Sequence, residues 1–232
     1  MRNKILAIIL ILALAVFGGI WYFQSLNQAP NSTPVSVTNV EILKQASSVV
    51  VTSSIPQDPA AATSSDLLAW PLSSAPTRIT KKPFGLKVSP TNSSVKPERF
   101  SGYHTGVDFE TWPSEQTSTV SVQAICAGPL LMKKWATGYG GVAVQKCEFK
   151  KQIVTIIYGH LNLASIKASV GDKIIVGQEI GVLGKGYSPE TDGERKHLHL
   201  GIHSGSSIYI LGYVPKQSQL VGWLDAAKYL VK

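Results

Sequence analysis

Five histidines occur in the 232 residues, and two of them stand one residue apart in Lys196-His197-Leu198-His199-Leu200-Gly201-Ile202-His203. Read with period two, this stretch puts Leu198, Leu200 and Ile202 on one face and His197, His199, Gly201 and His203 on the other, the pattern of a half-buried strand. The apolar face can seat in a core while the opposite face presents two adjacent imidazoles to a cleft. His104 and Asp108 stand four apart in His104-Thr105-Gly106-Val107-Asp108, and His160 lies in Tyr158-Gly159-His160-Leu161. A catalytic zinc takes three protein ligands from such side chains and keeps a fourth position for water. His104 and Asp108, supplied from one short turn, and one histidine of the pair complete a His, Asp, His set. One carboxylate and two neutral imidazoles leave such an ion with residual positive charge, which lowers the pKa of its water and polarises a carbonyl beside it. His160 and the other histidine of the pair would then orient or deprotonate the water and hydrogen-bond the oxyanion that forms when an amide is attacked. Each piece alone is a common accident; together, in this order and with Gly-rich flanks, they are specific.

Strands must position these residues, because long helical periodicity is absent. Short apolar segments cut by Gly, Pro and Asn occupy 119–127, 129–135, 141–148, 152–158, 173–176, 179–183, 197–203 and 207–214, at the spacing of an all-β domain. Only at the end do Trp223, Ala226, Ala227 and Leu230 recur at helical spacing, which predicts a short C-terminal helix. The expected fold is all-β, a mostly antiparallel sandwich or open barrel. Hydrophobicity returns at Leu67-Leu68-Ala69-Trp70, so the folded domain is expected over 67–232.

Ahead of it, residues 24–66 are rich in Ser, Thr, Pro and Ala and read as a flexible linker, which lets a tethered domain reach roughly 40 Å. Residues 1–23 carry Arg2 and Lys4 before nineteen uncharged residues that end in Trp21-Tyr22-Phe23. That is a transmembrane anchor, or alternatively a removed signal peptide, and it sends everything after Phe23 outside the cytoplasm. Net charge is +8, and residues 78–232, with 19 Lys and Arg against 11 Asp and Glu, carry all of it. Outside the cytoplasm such a surface meets wall polymers and lipid headgroups; the aromatic and basic interleaving of a nucleic-acid binder is missing. Cys126 and Cys147 are not a CxxC pair, and in an oxidising compartment a single disulfide between neighbouring strands is expected of them. A monomer is expected.

Together, Pro83-Phe84-Gly85, Gly102-Tyr103-His104-Thr105-Gly106-Val107-Asp108-Phe109, Tyr158-Gly159-His160-Leu161, Val170-Gly171-Asp172, Gly177-Gln178 and His197-Leu198-His199 resemble the lysostaphin or LytM-type zinc metallopeptidases that cut peptidoglycan peptides. The resemblance covers about residues 68–226. It implies a small antiparallel β fold with the metal in a groove, Zn2+ held by His104, Asp108 and His199, and His160 and His197 as catalytic histidines. It, and not the spacing, decides which histidine of the pair is the ligand. The expected activity is zinc-dependent hydrolysis of peptide stems or cross-links of bacterial peptidoglycan. One departure stands out: where the family approaches its HxH through a Ser/Thr-Gly loop, this chain has a longer, highly charged 187–196. His203 matches no family site and reads as peripheral. Because some relatives have lost ligands and only activate other hydrolases, a non-catalytic wall-binding or regulatory module is the alternative, though every metal and catalytic position is filled here. Residues 170–182 also resemble the paired hairpin of lipoyl or biotinyl carriers, with Lys133 mimicking their modified lysine; the exported location and the placed histidines argue against that reading.

Overall fold

Residues 152–161 alternate Val154, Ile156 and Tyr158 with Thr155 and Ile157, and β-branched and aromatic side chains in that order fit a pleated surface buried on both sides. The computed structural model describes residues 67–231; the expected anchor over 1–23 and linker over 24–66 lie outside the described residues. Twelve strands follow: β1 (Lys87–Val88), β2 (Gly102–His104), β3 (Gly106–Glu110), β4 (Ser121–Gln123), β5 (Gly128–Ala136), β6 (Gly140–Phe149), β7 (Gln152–Leu161), β8 (Lys173–Ile174), β9 (Glu179–Val182), β10 (His197–Ser204), β11 (Tyr213–Val214) and β12 (Trp223–Leu224). Every pairing between them is antiparallel. The main sheet runs β12-β10-β7-β6-β5-β8, with β3 also on β10; β1-β2-β11 and β4-β9 form two smaller sheets. The mostly antiparallel β fold expected from the sequence is therefore present, and the helical elements among the described residues are 3-10 turns of three or four residues.

The larger core covers one face of the main sheet. Leu198, Leu200 and Ile202 enter it from β10, fully buried, with Ile156 and Tyr158 from β7, and Val122 of β4 and Ile180 of β9 belong to the same cluster. Its polar groups are satisfied: the Tyr158 hydroxyl accepts from Ile125 N and donates to Gln145 Oε1. Cys126 and Cys147 are joined as a disulfide with Cα atoms 6.1 Å apart, fastening the segment before β5 to β6. The opposite face carries a smaller apolar cluster of Val142, Val144, Ile157 and Trp223 under Tyr139, and beyond that cluster the same face holds the histidines.

Three local expectations change. His104 and Asp108 do not share one turn: His104 ends β2 in one sheet and Asp108 sits in β3 of another. The strand expected over 207–214 is confined to β11, because 205–212 arches over the sheet and drops Ile210 onto the smaller cluster. The C-terminal helix is a single 3-10 turn, Ala226–Lys228, capped by the Asp225 carboxylate. Its expected first turn is extended instead, since Trp223 pairs with His203 across β10 and β12.

The turn between β6 and β7 is Lys150-Lys151, both at positive φ (50° and 60°), as a two-residue type I′ hairpin loop requires. A non-glycine residue pays about 1–2 kcal/mol in that region, and glycine's extra chain entropy costs about 0.5–1. Lys150 also lies 4.6 Å over the Tyr229 ring, so the free choice is position 151. Lys151→Gly is expected to raise unfolding free energy by about 0.5–1 kcal/mol in a denaturant titration; an unchanged or lower value would contradict the turn's role.

Candidate metal centre

Strand register sets the geometry. Asp108 and Glu110 are two apart on β3, so both point to one side, and across the ladder they face His199 and His197 of β10. The segment before β1 pins both ends of the HxxxD stretch: Asp108 N donates to Lys82 O, His104 N to Leu86 O, and Gly85 N to His104 O. His104 Nδ1 lies 3.2 Å from Pro83 O; a carbonyl only accepts, so Nδ1 carries the proton and Nε2 keeps its lone pair.

That lone pair points at two others. His104 Nε2 and His199 Nδ1 are 3.0 Å apart, and each is 3.2 Å from Asp108 Oδ1. All three residues are buried. A tetrahedral ion with bonds of 2.0–2.1 Å needs ligand atoms about 3.3–3.4 Å apart, so this triangle is one face of such a site, tighter by a few tenths of an ångström. The donor chemistry agrees, being one carboxylate and two imidazoles. Burial drives His199 down to about 4, against the pull of its Asp108 bond, which leaves it neutral near pH 7. Burial alone would raise Asp108; the neighbouring His197 and His104 outweigh it and hold the carboxyl well below the ordinary range. The residues present thus fit a zinc ion, with His104, Asp108 and His199 as its holders. Gly106 is required where His199 lies, since a Cβ there would come within 2.7 Å of the ring.

His160 reaches the same place by a different device. The β6–β7 ladder pairs Val142 with Gly159 and then Gly141 with Leu161, skipping His160 in a bulge, and His160 takes a φ of 62°. Bulges re-aim side chains in this way. Its ring lies 4.2 Å from that of His197, and its Nδ1 has no partner among the described residues. Burial, with the neighbouring His197 next, keeps His160 well below the usual histidine range. His197 donates from Nδ1 to Arg195 O at 2.9 Å and presents Nε2 to Asp108 Oδ2 at 3.2 Å.

The structure therefore brings all five expected side chains to one site. Asp108, His160, His197 and His199 line a cavity of about 240 Å³, walled by Phe100, Tyr139, Leu211 and Tyr213. His203 stays outside it, packed on Tyr209 and Trp223. Lys133 is in mid-strand on β5 and donates to Ile166 O, away from any hairpin tip.

Sequence reasoning missed several neighbours. Arg195 clasps Glu110 and Asp108, a contact that period two on β3 makes possible but does not announce. Tyr139 packs against Gly159, where a Cβ would meet its ring at 2.4 Å, and its buried hydroxyl has no partner among the described residues. The charged 187–196 segment is fastened beside the site. Asp192 Oδ2 accepts from Gly138 N, and Glu194, bonded to Arg99, lines the cavity.

Fold and donors together define an antiparallel β domain built around a candidate metal centre. Residues 102–209, a span that includes all five side chains, match the family model for Peptidase family M23. Among solved structures the chain is similar to the catalytic domain of the antimicrobial peptidase lysostaphin from Staphylococcus simulans, at 20% identity over 66% of this chain and 93% of that one, with a TM-score of 0.45. It is similar also to Helicobacter pylori Csd3, at 24% identity over 65% and 35% of the two chains and a TM-score of 0.41. A zinc containing peptidase from Vibrio cholerae gives 18%, 60%, 37% and 0.39 on the same measures. The chain thus spans little more than a third of the latter two. No curated protein matches it.

The buried neutral histidines set the sign of an acid response. His199 binds its proton at about 4 when folded against 6.5 as a free side chain, and His160 shifts the same way. The unfolded chain therefore takes up protons first, and stability that is full above pH 6.5 is lost as pH falls towards 4. Chelator-treated protein is expected to melt at progressively lower temperature between pH 6.5 and 4.5. A melting temperature constant over that range would contradict the burial of neutral imidazoles.

Proposed function

We propose that residues 67–232 are a zinc-dependent endopeptidase acting on peptide stems or cross-links of bacterial peptidoglycan. The observation that carries this reading is the triangle of His104 Nε2, Asp108 Oδ1 and His199 Nδ1 at 3.0–3.2 Å, open on a cavity lined by two further histidines. When bound there, zinc would supply a water of lowered pKa and polarise a carbonyl beside it. His160 and His197 carry the proton traffic. His160, neutral and with Nδ1 unengaged among the described residues, takes or gives a proton at that atom. His197, its Nδ1–H fixed on Arg195 O, acts through Nε2, which lies 3.2 Å from Asp108 Oδ2. The aromatic wall of Phe100, Tyr139 and Tyr213 excludes water and strengthens each of these polar contacts.

The match of residues 102–209 to the Peptidase family M23 model supports the peptidase class. The bond cut within peptidoglycan, the division into anchor, linker and domain, and a location outside the cytoplasm belong to the same proposal. Its support is the basic surface and the leading apolar run, together with the Cys126–Cys147 disulfide, which suits an oxidising compartment.

Zinc stoichiometry and the release of peptide fragments from purified peptidoglycan test the reading. The native domain is expected to hold one zinc and release fragments. His160→Ala is expected to retain the zinc and slow release by about 10²–10⁴-fold, and His199→Ala to lose both. Native protein without zinc, or cleavage that survives His199→Ala, would overturn it; peptidoglycan binding without product in the native protein would assign a wall-binding module instead.

A further inference from the structure

Asp108 offers only Oδ1 to the triangle, and its second oxygen is engaged elsewhere. Arg195 Nη2 donates to Asp108 Oδ2 at 2.9 Å, alongside His197 Nε2 at 3.2 Å. Arg195 is itself immobilised: its Nε lies 3.1 and 3.0 Å from the two oxygens of Glu110, and its Nη2 also donates to Glu110. Glu110 in turn meets Lys81 at 3.3 Å. Arg195 and both carboxylates are buried. The guanidinium is planar and holds its donors in a fixed fork, so two bonds to Glu110 determine where the third, to Asp108, must fall. This segment is where the chain departs from the Ser/Thr-Gly approach of the peptidases it resembles.

We propose that Arg195, fixed by Glu110, is a positioning residue that keeps Asp108 a one-oxygen metal ligand and thereby leaves a corner of the coordination sphere free for solvent. A carboxylate whose second oxygen is released can swing to chelate an ion with both atoms; with Oδ2 committed to a guanidinium it cannot. The inference rests on the zinc reading above, and its failure is separable from a failure of that reading.

Two effects of opposite sign must be kept apart in the test. The positive charge of Arg195 repels a dication, while its bond orients the ligand and favours binding. Arg195→Met combined with Glu110→Gln removes one charge of each sign, so local net charge is unchanged and orientation alone is read. Arg195→Lys keeps the charge and loses the fork, and it carries the test should the double variant not fold. Zinc affinity is measured by competition with a chelating dye, and coordination number from the visible absorption of the cobalt(II)-substituted protein, which is more intense for four ligands than for five or six. The double variant is expected to bind zinc 10–100-fold more weakly, the range for loss of an outer-shell partner, and to give a weaker cobalt band; Arg195→Lys is expected to move the same way by less. An unchanged cobalt spectrum in the variants overturns the assignment whatever the affinity. If the native protein takes up neither metal, the zinc reading itself fails.

Discussion

The pairing of β3 with β10 is the constraint on which the rest depends. It sets Asp108 opposite His199 and Glu110 opposite His197, and it does so while the alternate residues Leu198, Leu200 and Ile202 fill the larger core. A slip of one residue would turn each of these side chains to the other face, burying imidazoles among aliphatic groups and pushing three aliphatics into the cavity. The apolar side of one strand therefore fixes the polar side, and the free energy that holds the donors in place comes from hydrophobic burial behind them. The bulge at His160 and the close approach at Gly106 and Gly159 complete the arrangement by bringing one ring in and leaving room for two more.

Concentrating charge at such a place requires compensation. Asp108 and Glu110 are both buried, and Arg195 lies between them. Behind His104 a second pair, Lys82 and Glu98, is buried to 1% exposure on each side and satisfied by Tyr213, Ser93 and Phe100. Burial opposes ionisation of Glu98, and the bonds from Lys82 and its neighbours more than offset it. Removing one partner of such a pair costs about 3–5 kcal/mol, so these ions hold the Tyr213 ring, and through it His104 at 5.2 Å, in a defined position.

Much of this was legible in the chain. Alternation over 197–203 gave both the strand and the face that carries the histidines, and the apolar runs at 129–135, 141–148 and 152–158 correspond to β5, β6 and β7. The five side chains of the site were legible as types, and their roles came from resemblance. What escaped was non-local. That His104 and Asp108 sit in different sheets depends on β11 and β10 arriving from a hundred residues away. The arch over 205–212 has strand-like composition, yet its Ile210 is drawn onto the smaller apolar cluster and only Tyr213–Val214 finds a partner. The helical spacing at 223–230 lost to the pairing of Trp223 with His203. Arg195 looked like one charge in a loop because nothing local marks the two carboxylates it reaches.

The central claim is that donors from two separate stretches of the chain, 104–108 and 199, converge on one ion with a corner left open. Anomalous scattering at the zinc absorption edge, from crystals of the zinc-loaded domain, addresses it directly. One peak is expected at about 2.0–2.2 Å from His104 Nε2, Asp108 Oδ1 and His199 Nδ1, with a solvent oxygen as the fourth neighbour. A peak bound by other residues, or a fourth protein ligand closing the remaining corner, would contradict the account.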